Sequence, residues 1–265
     1  SITSGGTVVQ DAGSTMTAGS TLTLSANTGV TLNENVTSNG ATTINSDADG
    51  NGGAGDVGDF ILAASKALAT TNNTLQITAD DIQLSGTLSS GSNTTTLLVS
   101  DGGTIGVGDT SGAMTIGKGE LAKITASTLT IGASSGTGNI TVNNLVTANT
   151  ANISSKVAFI TNNAITFSSN ASAFTTGLDV DATGTTTIGV AITAGGAVNF
   201  GATGSGTLTT SGDITTSDDN ITFTRAVTLG GAVVIDTTGS SAGNIVFSST
   251  IATGDNNLTL DAGTA

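Results

Sequence analysis

The stretch NITFTRAVTLGGAVVID (Asn220 to Asp236) carries apolar residues two apart: Ile221 and Phe223, then Val227 and Leu229, then Val233 and Ile235. The pattern returns about two dozen positions later in NIVFSSTIATGDNNLTLD (Asn244 to Asp261), as Ile245 and Phe247, then Ile251, then Leu258 and Leu260, with Asp261 in the place of Asp236. Alternation at a period of two means short strands with one buried face. A unit of three such strands has too little apolar surface to fold alone. It buries that surface only by stacking on the next copy, which is the logic of a solenoid.

The same frame fits elsewhere. Ile165 and Phe167 are followed by Leu178, Val180 and Asp181. In GVTLNENVTSNGATTIN, Val30, Leu32, Val36 and Ile44 fall where Ile221, Phe223, Val227 and Ile235 fall, without a gap. Between about 74 and 142 the strand-like pieces TLQI, DIQL, MTI, TLTI and NITV are unevenly spaced. Helix formers are rare, and Thr, Val and Ile favour strands. The fold expected is all-β: a right-handed parallel β-helix (β-solenoid) with three short strands per coil and about 24 residues per coil. The length then gives roughly 11 coils and a rod on the order of 50 Å. Residues 1–265 read as a single continuous solenoid segment, with an acidic, glycine-rich loop inserted near 46–59. Both ends stand in mid-pattern, so the chain is expected to be part of something longer.

Composition follows from that geometry. The chain has 38 Gly and no Pro, Cys, His, Trp or Tyr, and Thr makes up about a fifth of it. Corners need the conformational latitude of Gly and Asn. Proline would delete a ladder hydrogen bond. The aspartates after the third strand (Asp181, Asp236, Asp261) are expected to close corners on backbone amides. The net charge of −14 leaves five cations, Lys66, Lys118, Lys123, Lys156 and Arg225, scattered along the sequence. Nucleic acid and anionic membranes both need a basic footprint, so neither is an expected partner. No apolar run is long enough to span a bilayer, and no membrane insertion is expected.

Two segments break the rhythm. FILAASKALATT (Phe60 to Thr71) suits one or two helical turns or a buried strand ending at Ala64. KGELAKIT (Lys118 to Thr125) sets Leu121 and Ile124 three apart, which predicts one helical turn on the solenoid.

The frame NITF…VVID…NIVF…NLTLDAG, together with GELAKITASTLTIG…GNITVNN, resembles the filamentous-haemagglutinin-like giant exoproteins of bacteria. The resemblance covers most of the chain and rests on repeat grammar. It implies a secreted right-handed β-helix, export by two-partner secretion, and a role as an adhesin or surface fibre. The location it implies is extracellular or on the cell surface.

The residues available for chemistry are few. Without His or Cys there is no Ser-His or Cys-His arrangement. The only glutamates, Glu34 and Glu120, are far apart in sequence and are expected in different coils. Asp80–Asp81 and Asp218–Asp219 are adjacent pairs whose members point to opposite faces of a strand, and both read as solvated corners. No catalytic residue and no organic cofactor are expected. Many β-helices cleave polysaccharides, so an enzyme of that kind is the first alternative. All aromatics are Phe, and Phe167, Phe223 and Phe247 sit at inward positions, as core rather than sugar platforms.

DADGNGGAGDVGD (Asp47 to Asp59) begins like a calcium loop, D-x-D-x-N-G. Its candidate ligands are Asp47, Asp49, Asn51, Asp56 and Asp59. The twelfth position should be Glu and is Gly58. Threonine pairs at Thr21, Thr128 and Thr222 raise a second alternative, an ice-binding solenoid, but they recur unevenly. Asn35, Asn93, Asn152 and Asn257 stand in glycan-acceptor triplets that so Thr-rich a chain produces by composition.

The function expected is that of a non-catalytic structural or adhesive segment of a large fibre. Its partners would be further repeats of the same protein or neighbouring copies in a filament, with cell-surface glycans or other cells as the adhesive target.

Overall fold

A computed structural model describes residues 1–50, 57–201, 206–241 and 243–263. Its strands pair in parallel throughout the described residues. They form an all-β, solenoid-like stack of sheets. One long sheet runs through eleven strands: Ile2–Ser4, Leu22–Ala26, Thr42–Asn45, Leu75–Ala79, Thr94–Val99, Ile124–Ala133, Ile153–Thr161, Gly177–Ala182, Val198–Phe200, Ile221–Phe223 and Ile245–Phe247.

The chain leaves and rejoins this sheet in a fixed order. In the first part it visits a second sheet (Val8–Gln10, Val30–Leu32, Phe60–Leu62, Ile82–Leu84) and then a side branch (Met16–Ala18, Val36–Ser38, Ala67–Ala69, Thr87–Ser89) that joins the long sheet where Thr87–Ser89 pairs with Ile124–Ala133, before each return. After Thr94–Val99 these two roles pass to other sheets. One holds Ile140–Asn143, Ile165–Phe167, Thr186–Ile188, Leu208–Thr210, Val227–Leu229 and Ile251–Ala252. The other holds Ser172–Phe174, Ile192–Ala194, Ile214–Thr216, Val233–Asp236 and Leu258–Asp261.

Inward positions repeat from strand to strand. Val180, Phe200, Phe223 and Phe247 occupy one column, and Leu178, Val198, Ile221 and Ile245 the next. Leu24, Leu32, Ile44, Phe60, Ile131, Phe167, Phe223 and Ile235 are all fully buried. The core is thus a bundle of apolar columns, and each column gains its stabilisation by covering the side chain one layer away.

The match between the two quoted stretches is in register: Ile221 pairs with Ile245, Val227 with Ile251, Val233 with Leu258, and Asp236 with Asp261. Two other equivalences are corrected. Val30 and Leu32 pair with Phe60 and Leu62 in the second sheet, whereas Ile44 lies in the long sheet with Ile221. Ile165 and Phe167 lie in the sheet of Val227, and Leu178 and Val180 in that of Ile221. In both cases the frame is rotated by one face. Strands on every face obey the same alternation, so periodicity finds the strand and not its side of the stack.

The uneven stretch contains a short detour. Ile105–Gly108 and Met114–Ile116 are parallel neighbours, with Ile105 paired to Met114. Parallel neighbours ordinarily need a crossover of a dozen residues or more, and this return is shorter. Here backbone meets backbone at two glycines. A Cβ on Gly106 would stand 2.4 Å from the Ser111 carbonyl carbon, and one on Gly112 would stand 2.4 Å from the Gly106 nitrogen.

Lys118–Leu121 is the expected single helical turn, with Leu121 buried. Phe60–Leu62 is a strand and Ala67–Ala69 another, so that Ala-rich segment is not helical. A 3-10 turn at Thr147–Thr150 has no counterpart in the sequence pattern. Among the described residues no helix is long and apolar enough to cross a membrane.

Candidate functional site

Three aspartates from three successive layers converge. Asp47 follows Thr42–Asn45, Asp80 follows Leu75–Ala79, and Asp101 follows Thr94–Val99, so each stands just past the end of its strand in the long sheet. One oxygen from each lies within 4.8 Å of the others. Asp47 is buried, Asp80 half-buried and Asp101 exposed. Asp80 is held from both sides: Oδ2 accepts the Gly58 amide at 3.1 Å, and Oδ1 accepts the Ser100 hydroxyl.

Among the described residues of the calcium loop read from the sequence, only Asp47 belongs to this group. Asp49 is exposed and outside it. Asn51 and Asp56 lie outside the described residues. Asp59 is outside the group, its Oδ2 accepting from Gln83 Nε2 at 2.9 Å. Burial, and then the negative charges of Asp81 and Asp80, push the Asp59 carboxyl above its ordinary range. Asp80 and Asp101 are the members that the loop motif could not supply, because they come from other layers.

Several other acidic groups hold the chain in place. Asp236 Oδ1 accepts both the amide and the hydroxyl of Thr238, and these bonds lower its pKa. Asp261 Oδ1 accepts the Gly263 amide at 3.1 Å. Both close corners as expected. Asp181 instead lies inside Gly177–Ala182, with its carboxylate 4.0 Å from Arg225. Asp81 Oδ1 takes the Thr115 amide at 2.8 Å, so Asp80 and Asp81 diverge. Asp218 accepts the Ser241 amide at a corner, which lowers its pKa. Glu34 pairs with Lys66 at 2.9 Å, and Glu120 takes the amides of Leu84 and Gly117.

Sequence reasoning missed one outward pair, Asp179 and Asp181. With Asn199 they line a cavity of about 190 Å³, where Lys156 bonds Asp179 and Asn199 Nδ2 donates to it at 2.9 Å. The D-x-D spacing on a strand was the available signal, since residues two apart share a face.

One outward column is unbroken. Thr141, Thr166, Thr187, Thr209 and Thr228 pair in order across five strands of one sheet. The column ends at Ala252 on one side and at Gly106 on the other. The Thr-x-Thr pairs seen in the sequence are uneven, but this single file is regular. Of the glycan-acceptor asparagines, Asn35 accepts the Ala67 amide and Asn152 donates to the Ala122 carbonyl.

No family model, curated protein or solved structure matches the chain.

Proposed function

We propose that the chain is a non-catalytic, structural and adhesive segment of an extracellular fibre, wound as a right-handed parallel β-helix. The observation that carries this reading is the continuous parallel pairing of eleven strands in one sheet, interrupted by a single register shift at Ala126–Thr128, with apolar columns beneath it. A stack of that kind is a stiff rod whose ladder hydrogen bonds run along its length. The filamentous-haemagglutinin-like repeat grammar supports the same reading.

Cryo-electron microscopy of the purified segment tests it. A rod with layers about 4.8 Å apart along its axis is expected. A compact particle lacking that spacing, or turnover of polysaccharides that disappears when Asp179 and Asp181 are changed to Asn, overturns it.

The threonine file favours a second reading, recognition of an ordered water lattice by a flat face. Neighbouring hydroxyls would recur at the strand spacing of about 4.8 Å. Thermal hysteresis measured on the purified segment, and lost in Thr187→Tyr, tests that reading. Its absence leaves the fibre.

A further inference from the structure

The five basic residues are scattered in sequence, yet the fold brings two of them to one cavity. Lys66 precedes Ala67–Ala69 and Lys123 precedes Ile124–Ala133; between these layers runs Thr87–Ser89. The Thr87 amide donates to the Lys66 carbonyl at 2.9 Å, and the Leu88 amide donates to the Lys123 carbonyl at 3.0 Å. The two lysines thus stand at the same corner, two layers apart, which is about 10 Å along the stack.

The layer between them presents only Ser85, Gly86 and Thr87. A Cβ on Gly86 would lie 2.3 Å from the Lys66 carbonyl oxygen and 2.6 Å from that of Ala63, so no side chain fits there. The result is a half-open cavity of about 250 Å³, lined by Ser65, Lys66, Ala67, Ser85, Gly86, Thr87 and Lys123.

Glu34 and Glu120 stand beside the two lysines, but neither lines the cavity. Glu34 binds Lys66 through Oε2 at 2.9 Å and the Gly13 amide through Oε1 at 3.0 Å, and it does not line the cavity. Glu120 spends both oxygens on the amides of Leu84 and Gly117. Lys123 Nζ donates to the Leu84 carbonyl at 2.6 Å. An ammonium has three N–H donors, so each lysine keeps two beyond these bonds.

We propose that this corner binds an acidic sugar unit, its oxyanion between Lys66 and Lys123 and its hydroxyls on Ser65, Ser85 and Thr87. Charge-assisted bonds from two ammoniums fix the anion. The volume exceeds a bare tetrahedral anion and falls below the ~300 Å³ at which drug-sized pockets begin, which suits one small ring. The site is independent of the fibre reading: a rod without it remains a rod, and the site can exist on a protein of another role.

The test is an amide chemical-shift titration of the intact chain at constant ionic strength with sodium galacturonate, sodium sulfate and galactose. Galacturonate is expected to give saturable shifts at Lys66, Gly86, Thr87 and Lys123, with a dissociation constant on the order of 1 mM. Sulfate should act more weakly and galactose not at all. Lys123→Met should abolish the response. Should that variant lose its fold, Ser85→Leu, which fills the cavity from an exposed position, carries the same expectation. No saturable response to either anion overturns the proposal, as does an equal response to galactose or a response that survives Ser85→Leu. A response to sulfate without one to galacturonate overturns the sugar.

Discussion

The rings of Phe223 and Phe247 lie face to face, with centroids 4.7 Å apart and planes 5° from parallel. Their strands are adjacent and in register, so the layer spacing itself sets the stack. Phe200 extends it on the other side at 5.0 Å and 12°. Phe223 is therefore covered on both faces and Phe247 on one. Phe223→Ala is expected to cost about 3–5 kcal/mol, as buried aromatic truncations do. Phe247→Ala, at a half-buried position, should cost about 1–2 kcal/mol. Urea unfolding of the two variants checks the order; equal costs would mean the column is not the unit of stability.

Gly106 and Gly112 make the short parallel return possible by letting two backbones touch. Gly106→Ala places a methyl 2.4 Å from the Ser111 carbonyl carbon and 2.6 Å from the Thr110 oxygen. Backbone cannot swing aside as a side chain can, so a loss of about 1–3 kcal/mol is expected. Gly5→Ala, with nothing within 4 Å, is the control and should leave the unfolding midpoint unchanged. A neutral Gly106→Ala would show that the return adopts another path.

These glycines also show where sequence stops being legible. The pairing of Ile221 with Ile245 and of Asp236 with Asp261 could be read directly, because those two layers are almost equal in length. Elsewhere the layer length changes. Leu22 pairs with Thr42 across a short layer, whereas Thr42 pairs with Leu75, and Thr95 with Leu129, across much longer ones. A fixed period loses its phase across such changes. The convergence of Asp47, Asp80 and Asp101 was hidden for that reason. Asp47 and Asp80 are separated by the same long interval as Thr42 and Leu75, a relation that exists only once the strands are paired. The shared cavity of Lys66 and Lys123 was hidden likewise. Asp181 was misread as a corner because Asp236 and Asp261 each end a strand, whereas Asp181 is followed by Ala182 in the same strand.

Arg225 is buried at a corner, where its guanidinium donates to the carbonyls of Ala182 and Gly184 one layer beyond the adjacent strand. Burial lowers its pKa, and Asp181 opposes that shift. Arg225→Met keeps much of the bulk and leaves two carbonyls without their donors. Each orphaned acceptor costs about 1–3 kcal/mol. Arg225→Lys should rescue little, since one ammonium lacks the planar fork that reaches both oxygens. Thermal unfolding of the two variants checks this. Full rescue by Lys would reduce the residue's role to charge alone.

The burial of Glu120 predicts the sign of a pH dependence. Burial raises its pKa above the ordinary 4.5, helped by Asp81 and opposed by the Leu84 and Gly117 amides and by Lys123. In the window between 4.5 and the raised value, the folded chain holds a proton that the unfolded chain has released. Stability from this group therefore falls as pH rises through the window and returns on acidification. Asp236 runs the opposite way. Its bonds to Thr238 lower its pKa, so its contribution is present above the ordinary 3.8 and is lost as pH falls through the lowered value. Whole-protein curves mix the two, and Glu120→Gln separates them. The difference in unfolding free energy, Gln variant minus wild type, should grow as pH climbs from 4 toward neutrality, then level off. Carboxyl carbon NMR supplies the direct reading: Glu120 titrating at or below 4.5 would contradict the burial seen around it.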